Sequence, residues 1–192
     1  LIHGAVRRSL TFSVDSLLRY PTVTRIQFLE CAGNSGGNLA PKPPQAPLED
    51  YLTLARHLGL SRHVFVQPSA YGRDNRCMLD AMRDMPRDIT RGIVDLEDNT
   101  PDSELVAMHA LGVRGLRINV SPVHPVEEGL MESMLPRIQY WEARCLEHGW
   151  HLDFLLPGWL TERMLPVFDR LRIDHSLAHM GMFLAKSGPA QP

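Results

Sequence analysis

The sequence predicts an α/β fold in which parallel strands alternate with helices, as in part of an eight-fold βα barrel. Apolar strand-like runs alternate with amphipathic helical segments about five times after residue 47, which is typical of βαβ units. No glycine-rich phosphate-binding motif follows the first strand, which disfavours an open, doubly wound nucleotide-binding sheet. Because five units would not close a barrel, we expect an incomplete (β/α)8, or TIM, barrel.

The first unit has clear local signals. "LEDYLTLARHLGL" has the apolar spacing of an amphipathic helix and carries Gly59 near its carboxyl end. "HVFVQPS" is typical of a buried strand that ends at a proline. The later elements, in order, are helix NRCMLDAMRDM, strand RGIVDLE, helix TPDSELVAMHALG, strand VRGLRINV, a long helix within EEGLMESMLPRIQYWEARCLEHG, strand WHLDFLLPG, helix TERMLPVFDRL and a last strand or strand-turn RIDHSLAHM.

Two helices have predicted end signals. Thr100 is the expected N-cap of the third helix, with Pro101 at its first helical position and Gly112 after its end. Pro136 predicts a start or a kink within the long helix, which stops at Gly149.

A proline-rich stretch, residues 39–47, gives the best domain boundary, since it suits neither helix nor central strand. We expect residues 1–38 to be a separate foreign segment, 39–47 a linker and 48–192 the partial barrel. The alternative is an ordinary surface loop inside one domain. The chain begins with Leu1 and stops at Pro192 after a predicted strand, so we expect a fragment or a fusion.

Composition narrows the class of partner and compartment. The 192-residue chain is 44% hydrophobic with a net charge of −2, which predicts a globular protein and no nucleic-acid or membrane-surface binding. No apolar stretch is long enough to span a bilayer. Cys31, Cys77 and Cys145 are widely spaced without a C-x-x-C, which indicates a reducing, cytoplasmic location.

The carboxyl ends of the predicted strands carry polar residues, and barrel chemistry collects there. Arg117 could clamp a carboxylate through two parallel hydrogen bonds, and Ser69 and Tyr71 could donate to a second oxygen. His179 could polarise a carbonyl, bind a metal or move a proton. The residues at these ends are Ser69, Tyr71, Asp95, Arg117, Asn119, Phe154 and His179. The serine, tyrosine, arginine and histidine of this set, converging on one rim, would suit a small anionic substrate.

Each candidate also has a structural interpretation. Asp95 fits a helix cap or turn, Arg117 an ion-pair partner at the sheet rim, and Ser69 a turn residue after Pro68. His179 fits a hydrogen-bonded core histidine.

Metal binding is a separate alternative at the end of the chain. His175 and His179 are four residues apart, with Asp174 beside them, so they would share a face if helical. No third ligand stands at a matching spacing.

Four segments in order resemble one family: LEDYLTLARHLGLSRHVFVQPSAYGRDNRCMLDAM, RGIVDLEDNTPDSELVAMHALGVRGLRINV, WHLDFLLPG and AHMGMF. They are similar to the TIM-barrel branch of the amidohydrolase superfamily, and above all to its 2-pyrone-4,6-dicarboxylate lactonases, from about Pro41 to the end. The resemblance implies hydrolysis of a lactone or related bond of a small carboxylate, with a divalent metal such as Zn or Mn. It places Ser69, Arg117 and His179 in the substrate pocket or metal site.

This chain departs from that family in three places. The strand-one H-x-H motif is missing, with His3 alone upstream of the proline-rich stretch. The last strands, with the catalytic aspartate, would lie beyond Pro192. Phe154 stands where relatives would place a polar aromatic. We therefore expect a truncated hydrolase, with inactivity as the alternative, and exposed strand edges that favour oligomers.

The opening stretch IHGAVRRSLTFSVDSLLRYPTVTRIQFLECAGNSGGN resembles the molybdopterin domain of sulfite oxidases and dehydrogenases. That resemblance implies that Cys31 is a thiolate ligand of molybdenum. The residues that would grip the pterin are absent from the chain, so we expect a free thiol and no bound molybdopterin. The alternatives to a hydrolase are a sulfite oxidoreductase fragment or a non-functional fusion.

Overall fold

The structure is a computed structural model that describes residues 16, 19, 48–120 and 123–182. The chain divides into two units, Leu1–Ser35 and Gly36–Pro192. The helices and strands between residues 48 and 182 all belong to the second unit. Apart from residues 16 and 19, the expected N-terminal segment, which contains Cys31, lies outside the described residues, as does the expected linker at 39–47.

Five helices and five strands alternate along the described residues between 48 and 182. The helices are α1 Leu48–His57, α2 Arg76–Arg83, α3 Asp102–Leu111, α4 Leu130–His148 and α5 Gly158–Phe168. The strands are β1 His63–Val66, β2 Thr90–Val94, β3 Val113–Asn119, β4 His151–Leu155 and β5 His175–Leu177. Short 3-10 turns, Ser69–Tyr71 and Ala178–Met182, follow β1 and β5.

The strands form one parallel sheet in the order β1-β2-β3-β4-β5. Each strand lies beside the next one along the chain, as in a barrel, whereas a doubly wound sheet reverses its strand order at a switch point. The prediction of a partial (β/α)8 barrel is therefore confirmed.

The two faces of the sheet have different roles because side chains alternate along each strand. Leu116 and Ile118 of β3 pair with Leu152 and Phe154 of β4, and all four are buried in the apolar core beneath the helices. The residues between them belong to the opposite face, where the polar side chains of the sheet meet.

Apolar residues from the helices complete that core. The largest is Trp141 of α4, which is fully buried while its indole N–H donates to Asp98 Oδ1 at 2.8 Å. Burying a large apolar side chain contributes about 1.5–3 kcal/mol to the stability of the fold. Other helical residues in the core are Met82, Leu105, Ile138, Leu160 and Met164. This layer holds the strands in place and so fixes where their carboxyl ends point.

The helix ends agree with the sequence in part. Gly112 ends α3 in the left-handed region at φ 114°, as its position predicted. A Cβ there would lie 3.0 Å from the Thr90 carbonyl oxygen. The predicted cap is wrong by one residue, since α3 begins at Asp102 with Pro101 before it. Thr100 donates instead to the Glu97 carbonyl at 2.6 Å.

Pro136 does not start a helix. It lies inside α4, which begins six residues earlier and runs on to His148. None of the helices in the described ranges is long and apolar enough to cross a membrane.

Candidate active site at the carboxyl ends of the strands

A buried ion pair joins the middle strands on the polar face. Arg117 Nε donates to Asp153 Oδ2 at 2.8 Å, and the two residues are only 8% and 5% exposed. Ser176 Oγ donates to the other carboxylate oxygen at 2.6 Å. The parallel register causes this arrangement, because it sets Arg117 beside Asp153 and Asp153 beside Ser176. One network thus joins β3, β4 and β5.

The guanidinium of Arg117 also reaches the end of β1. Its Nη1 donates to the backbone carbonyl of Gln67 at 3.1 Å. Guanidinium has five N–H donors in a fixed plane, and in the described part of the chain no protein acceptor takes those of Nη2. The terminal Nη edge therefore retains donors for a carboxylate, while Nε is fixed by Asp153. Arg117 is both the predicted ion-pair partner and a residue with free donor capacity.

Asp153 was not predicted from the sequence, which placed Phe154 at the end of this strand. The structure corrects that assignment. Phe154 is 1% exposed and faces the helices, with its ring centroid 4.9 Å from that of Phe168. Asp153 could have been found from its place in the apolar run "HLDFLL", because a charged residue in a buried strand needs a partner.

The predicted residues after β1 and at the end of β3 meet. Asn119 Nδ2 donates to Ser69 Oγ at 3.0 Å, which leaves the Ser69 hydroxyl hydrogen able to donate elsewhere. Asn119 lies two residues after Arg117 on the same strand and therefore belongs to the same face. Tyr71 is half-buried in the same 3-10 turn as Ser69.

Asp95 is a buried acceptor directly after β2. The backbone carbonyl of Asp95 accepts a hydrogen bond from Asn75 Nδ2 at 2.7 Å, and its backbone N–H donates to Asn75 Oδ1 at 3.2 Å. Its Oδ1 lies 3.3 Å from Arg73 Nε and 3.7 Å from Arg137 Nη2. Burial raises the pKa of this carboxyl, and the positive charges of Arg73, Arg137 and Arg117 oppose that rise. Asp95 does not cap a helix, which was one structural alternative for it, since the next helix, α3, begins only at Asp102.

The arginines around Asp95 have further acidic partners. Arg73 also pairs with Glu97, and Arg137 pairs with Asp98. These two cations are therefore compensated within the protein. Arg117 differs because Asp153 is hydrogen-bonded to its Nε, whereas Asp95 acts on it only through longer-range electrostatics. Among the described residues, the donors of its Nη2 therefore keep no protein acceptor.

His179 lies just past β5 in a left-handed turn. His179, Met180, Gly181 and Met182 have φ values of 51°, 54°, 80° and 56°. Non-glycine residues in this region cost roughly 1–2 kcal/mol each, and such strain concentrates at functional sites. The side chain of His179 is exposed, so His179 is not a core histidine. Within the described residues, no hydrogen bond joins it to Arg117.

The described residues do not fit a metal ion. In residues 48–120 and 123–182, no three His, Cys, Asp or Glu side chains converge as ligands. His175 and His179 share no helical face, because His175 belongs to β5 and stacks on Phe168 at 5.2 Å between ring centroids. Burial raises the pKa of the Cys145 thiol to about 12, so this cysteine stays protonated.

A single parallel sheet with polar side chains at the carboxyl ends of its strands is part of a (β/α)8-type barrel. A model of the amidohydrolase family matches residues 35–192, and the chain belongs to that family.

The individual relatives are lactone hydrolases by name. The chain is 30% identical over 139 residues to a 2-pyrone-4,6-dicarboxylate hydrolase of Comamonas testosteroni, and this match covers 72% of this chain and 44% of that protein. It is 35% identical over 111 residues to a 4-sulfomuconolactone hydrolase of Rhizobium radiobacter, and that match covers 58% of this chain and 36% of the relative. The chain thus spans less than half the length of these curated relatives.

A solved structure from Pseudomonas putida, provisionally described as a 2-pyrone-4,6-dicarboxylic acid hydrolase, superposes with a TM-score of 0.64 at 32% identity. The match covers 76% of this chain and 51% of that one.

Proposed function

We propose that this chain carries the substrate-binding half of a hydrolase that opens the lactone ring of a small carboxylate. The observation that carries the proposal is the terminal Nη edge of Arg117, which keeps donors available at the carboxyl ends of the strands. The names of the curated relatives support a lactone as the substrate class.

Arg117 binds the substrate carboxylate in this proposal. Two parallel N–H···O bonds from one guanidinium give a planar, directional contact, which a lysine ammonium does not reproduce. Ser69 stands beside this position through its bond from Asn119, and its hydroxyl hydrogen can donate to a second substrate oxygen. Tyr71, in the same turn, is the third candidate for substrate contact.

His179 is the residue that transfers the proton during hydrolysis in this proposal. Water adds to the lactone carbonyl carbon, the ring C–O bond breaks, and the products are a carboxylate and a hydroxyl group, with one proton released to water. A positioned histidine can act first as a general base and then as a general acid, so His179 takes a proton from the water and returns it to the leaving oxygen. The described residues offer no metal ligand set, so no step of this scheme uses a metal.

The test is turnover of 2-pyrone-4,6-dicarboxylate by the full chain, followed as loss of the pyrone absorbance. Arg117→Ala should lower kcat/KM by about a hundredfold or more, since a bidentate charged contact is lost. The matched control is Arg83→Ala, which removes an exposed arginine of α2 paired with Asp80. Equal activity in both variants, or no turnover by the unmodified chain, would refute the proposal.

A further inference from the structure

Asp153 takes no part in the proposed chemistry, yet it is the buried centre of the site. Both of its oxygens already have protein donors, Arg117 Nε on one and Ser176 Oγ on the other. Its negative charge would also repel the carboxylate of an anionic ligand, so Asp153 does not bind that group itself. Any role in binding must therefore pass through Arg117.

We propose that Asp153, held in turn by Ser176, is a positioning residue that fixes the rotation of the Arg117 guanidinium so that its Nη edge faces the substrate carboxylate. This inference rests on the proposed function. Arg117 touches the substrate, whereas Asp153 and Ser176 act only on Arg117.

The geometry supports this role in two ways. A guanidinium is planar, so a bond at Nε together with one from Nη1 to the Gln67 carbonyl leaves its plane no freedom to turn. The anchors also come from different strands, β4 and the end of β1, which the sheet holds at fixed spacing. A mobile arginine side chain, with four rotatable bonds, would lose conformational entropy when it binds the substrate. Because Arg117 is already held in place by the fold, that entropy cost does not reduce the affinity.

The charge balance of the ion pair also supports this role. Asp153 and Arg117 together carry no net charge, so an anionic ligand is held by directed hydrogen bonds from the guanidinium N–H groups more than by net charge. A lysine at position 117 would keep the charge opposite Asp153 but could not bond Asp153 and present a two-donor edge together. Asp153→Asn and Arg117→Lys should therefore remove the same property by different routes.

The experiment measures binding of 2-pyrone-4,6-dicarboxylate to the full chain by titration calorimetry, for Asp153→Asn, Arg117→Lys and the double variant. Each single change should weaken binding about tenfold, and the double variant should be no weaker than the weaker single one, because residues acting as a unit are not additive. Ser176→Ala, which removes one bond to Asp153, should weaken it about threefold. The matched control is Asp80→Asn, the exposed partner of Arg83, which should bind normally.

A purely structural role for Asp153 predicts a different pattern. Asp153→Asn would then lower the midpoint of unfolding while the remaining folded protein bound the ligand normally, or the two single losses would multiply in the double variant. Either result would overturn the inference. Where turnover is measurable, positioning also predicts a raised KM with an unchanged kcat.

The outcomes separate this inference from the proposed function. Binding without turnover refutes the hydrolase activity and leaves the role of Asp153 intact. Turnover with normal affinity in Asp153→Asn refutes that role alone. If the unmodified chain does not bind the dicarboxylate, both are wrong.

Discussion

Arg117 and Asp153 are register partners on adjacent parallel strands, and their side chains close a buried ion pair with 2.8 Å between Nε and Oδ2. Neither residue is near the other in sequence, so only the pairing of β3 with β4 brings them together. Because this contact belongs both to the sheet and to the candidate site, replacing either residue should change the stability of the fold and the binding of the substrate.

Asp153→Ala should destabilise the fold by about 3–5 kcal/mol, because it leaves the Arg117 guanidinium buried without its acid. Urea unfolding followed by circular dichroism measures this. Asp80→Ala is the control, since its ion pair with Arg83 is exposed and should be worth at most about 1 kcal/mol. Similar losses in the two variants would show that the buried pair has no special weight.

Stability should fall as pH rises through the titration of Asp95. Burial raises the pKa of this carboxyl, so the folded state binds its proton more tightly than the unfolded chain. The folded state is therefore favoured below that pKa, and the advantage is lost as pH rises from about the ordinary value of 3.8 through the raised one.

Asp95→Asn should remove this component and flatten the curve of unfolding free energy against pH on the neutral side of 3.8. Asp74 is the counter-example, because its bonds from Arg76 lower the pKa of its carboxyl from 3.8 to about 2. Its stabilising effect is complete above 3.8 and lost as pH falls toward about 2, a separate window. A curve that keeps its slope on the neutral side of 3.8 in Asp95→Asn would contradict the assignment.

Met180→Gly should stabilise the protein. Met180 is 90% exposed and has φ 54°, so glycine relieves backbone strain without removing a packed side chain. The relief of roughly 1–2 kcal/mol exceeds the entropy cost of glycine in the unfolded chain, leaving a net gain of about 0.5–1 kcal/mol. The thermal midpoint measures the change.

The control for that change is Val126→Gly. Val126 is 62% exposed and is not among the described residues with positive φ, so glycine there adds only the conformational entropy that the unfolded chain gains. We expect a loss of about 0.5–1 kcal/mol. A loss of the same size in Met180→Gly would show that the left-handed turn stores no strain.

Phe154→Tyr should change stability and leave substrate preference alone. The ring is fully buried against Phe168 and His175 on the helix side of the sheet, so the packed core would have to make room for an added hydroxyl group. Overpacking of this kind costs about 1–3 kcal/mol. Denaturation should detect the loss, while the ratio of kcat/KM between two lactones should stay constant. A shift in that ratio would place residue 154 in the pocket after all.

Most of the architecture could be predicted from the sequence. The alternation of apolar residues in "VRGLRINV" and "WHLDFLLPG" is a local pattern, and it predicted these segments as strands. The end of α3 was also predicted from a local signal, the glycine at position 112. The site was predicted in part. Arg117, Asn119 and Ser69 were proposed from their positions at strand ends, and the structure brings Asn119 and Ser69 into contact.

The sequence by itself determined the order of helices and strands, the parallel sheet and the choice of apolar residues for the core. The tertiary structure decided which strand residue faces the site: Asp153 rather than Phe154, because side chains alternate and the pairing of β3 with β4 sets the phase. It also decided that Arg117 has an acid partner and that His179 lies in a left-handed turn. Contacts between residues 36 positions apart leave no local pattern in the chain, so only the folded sheet reveals them.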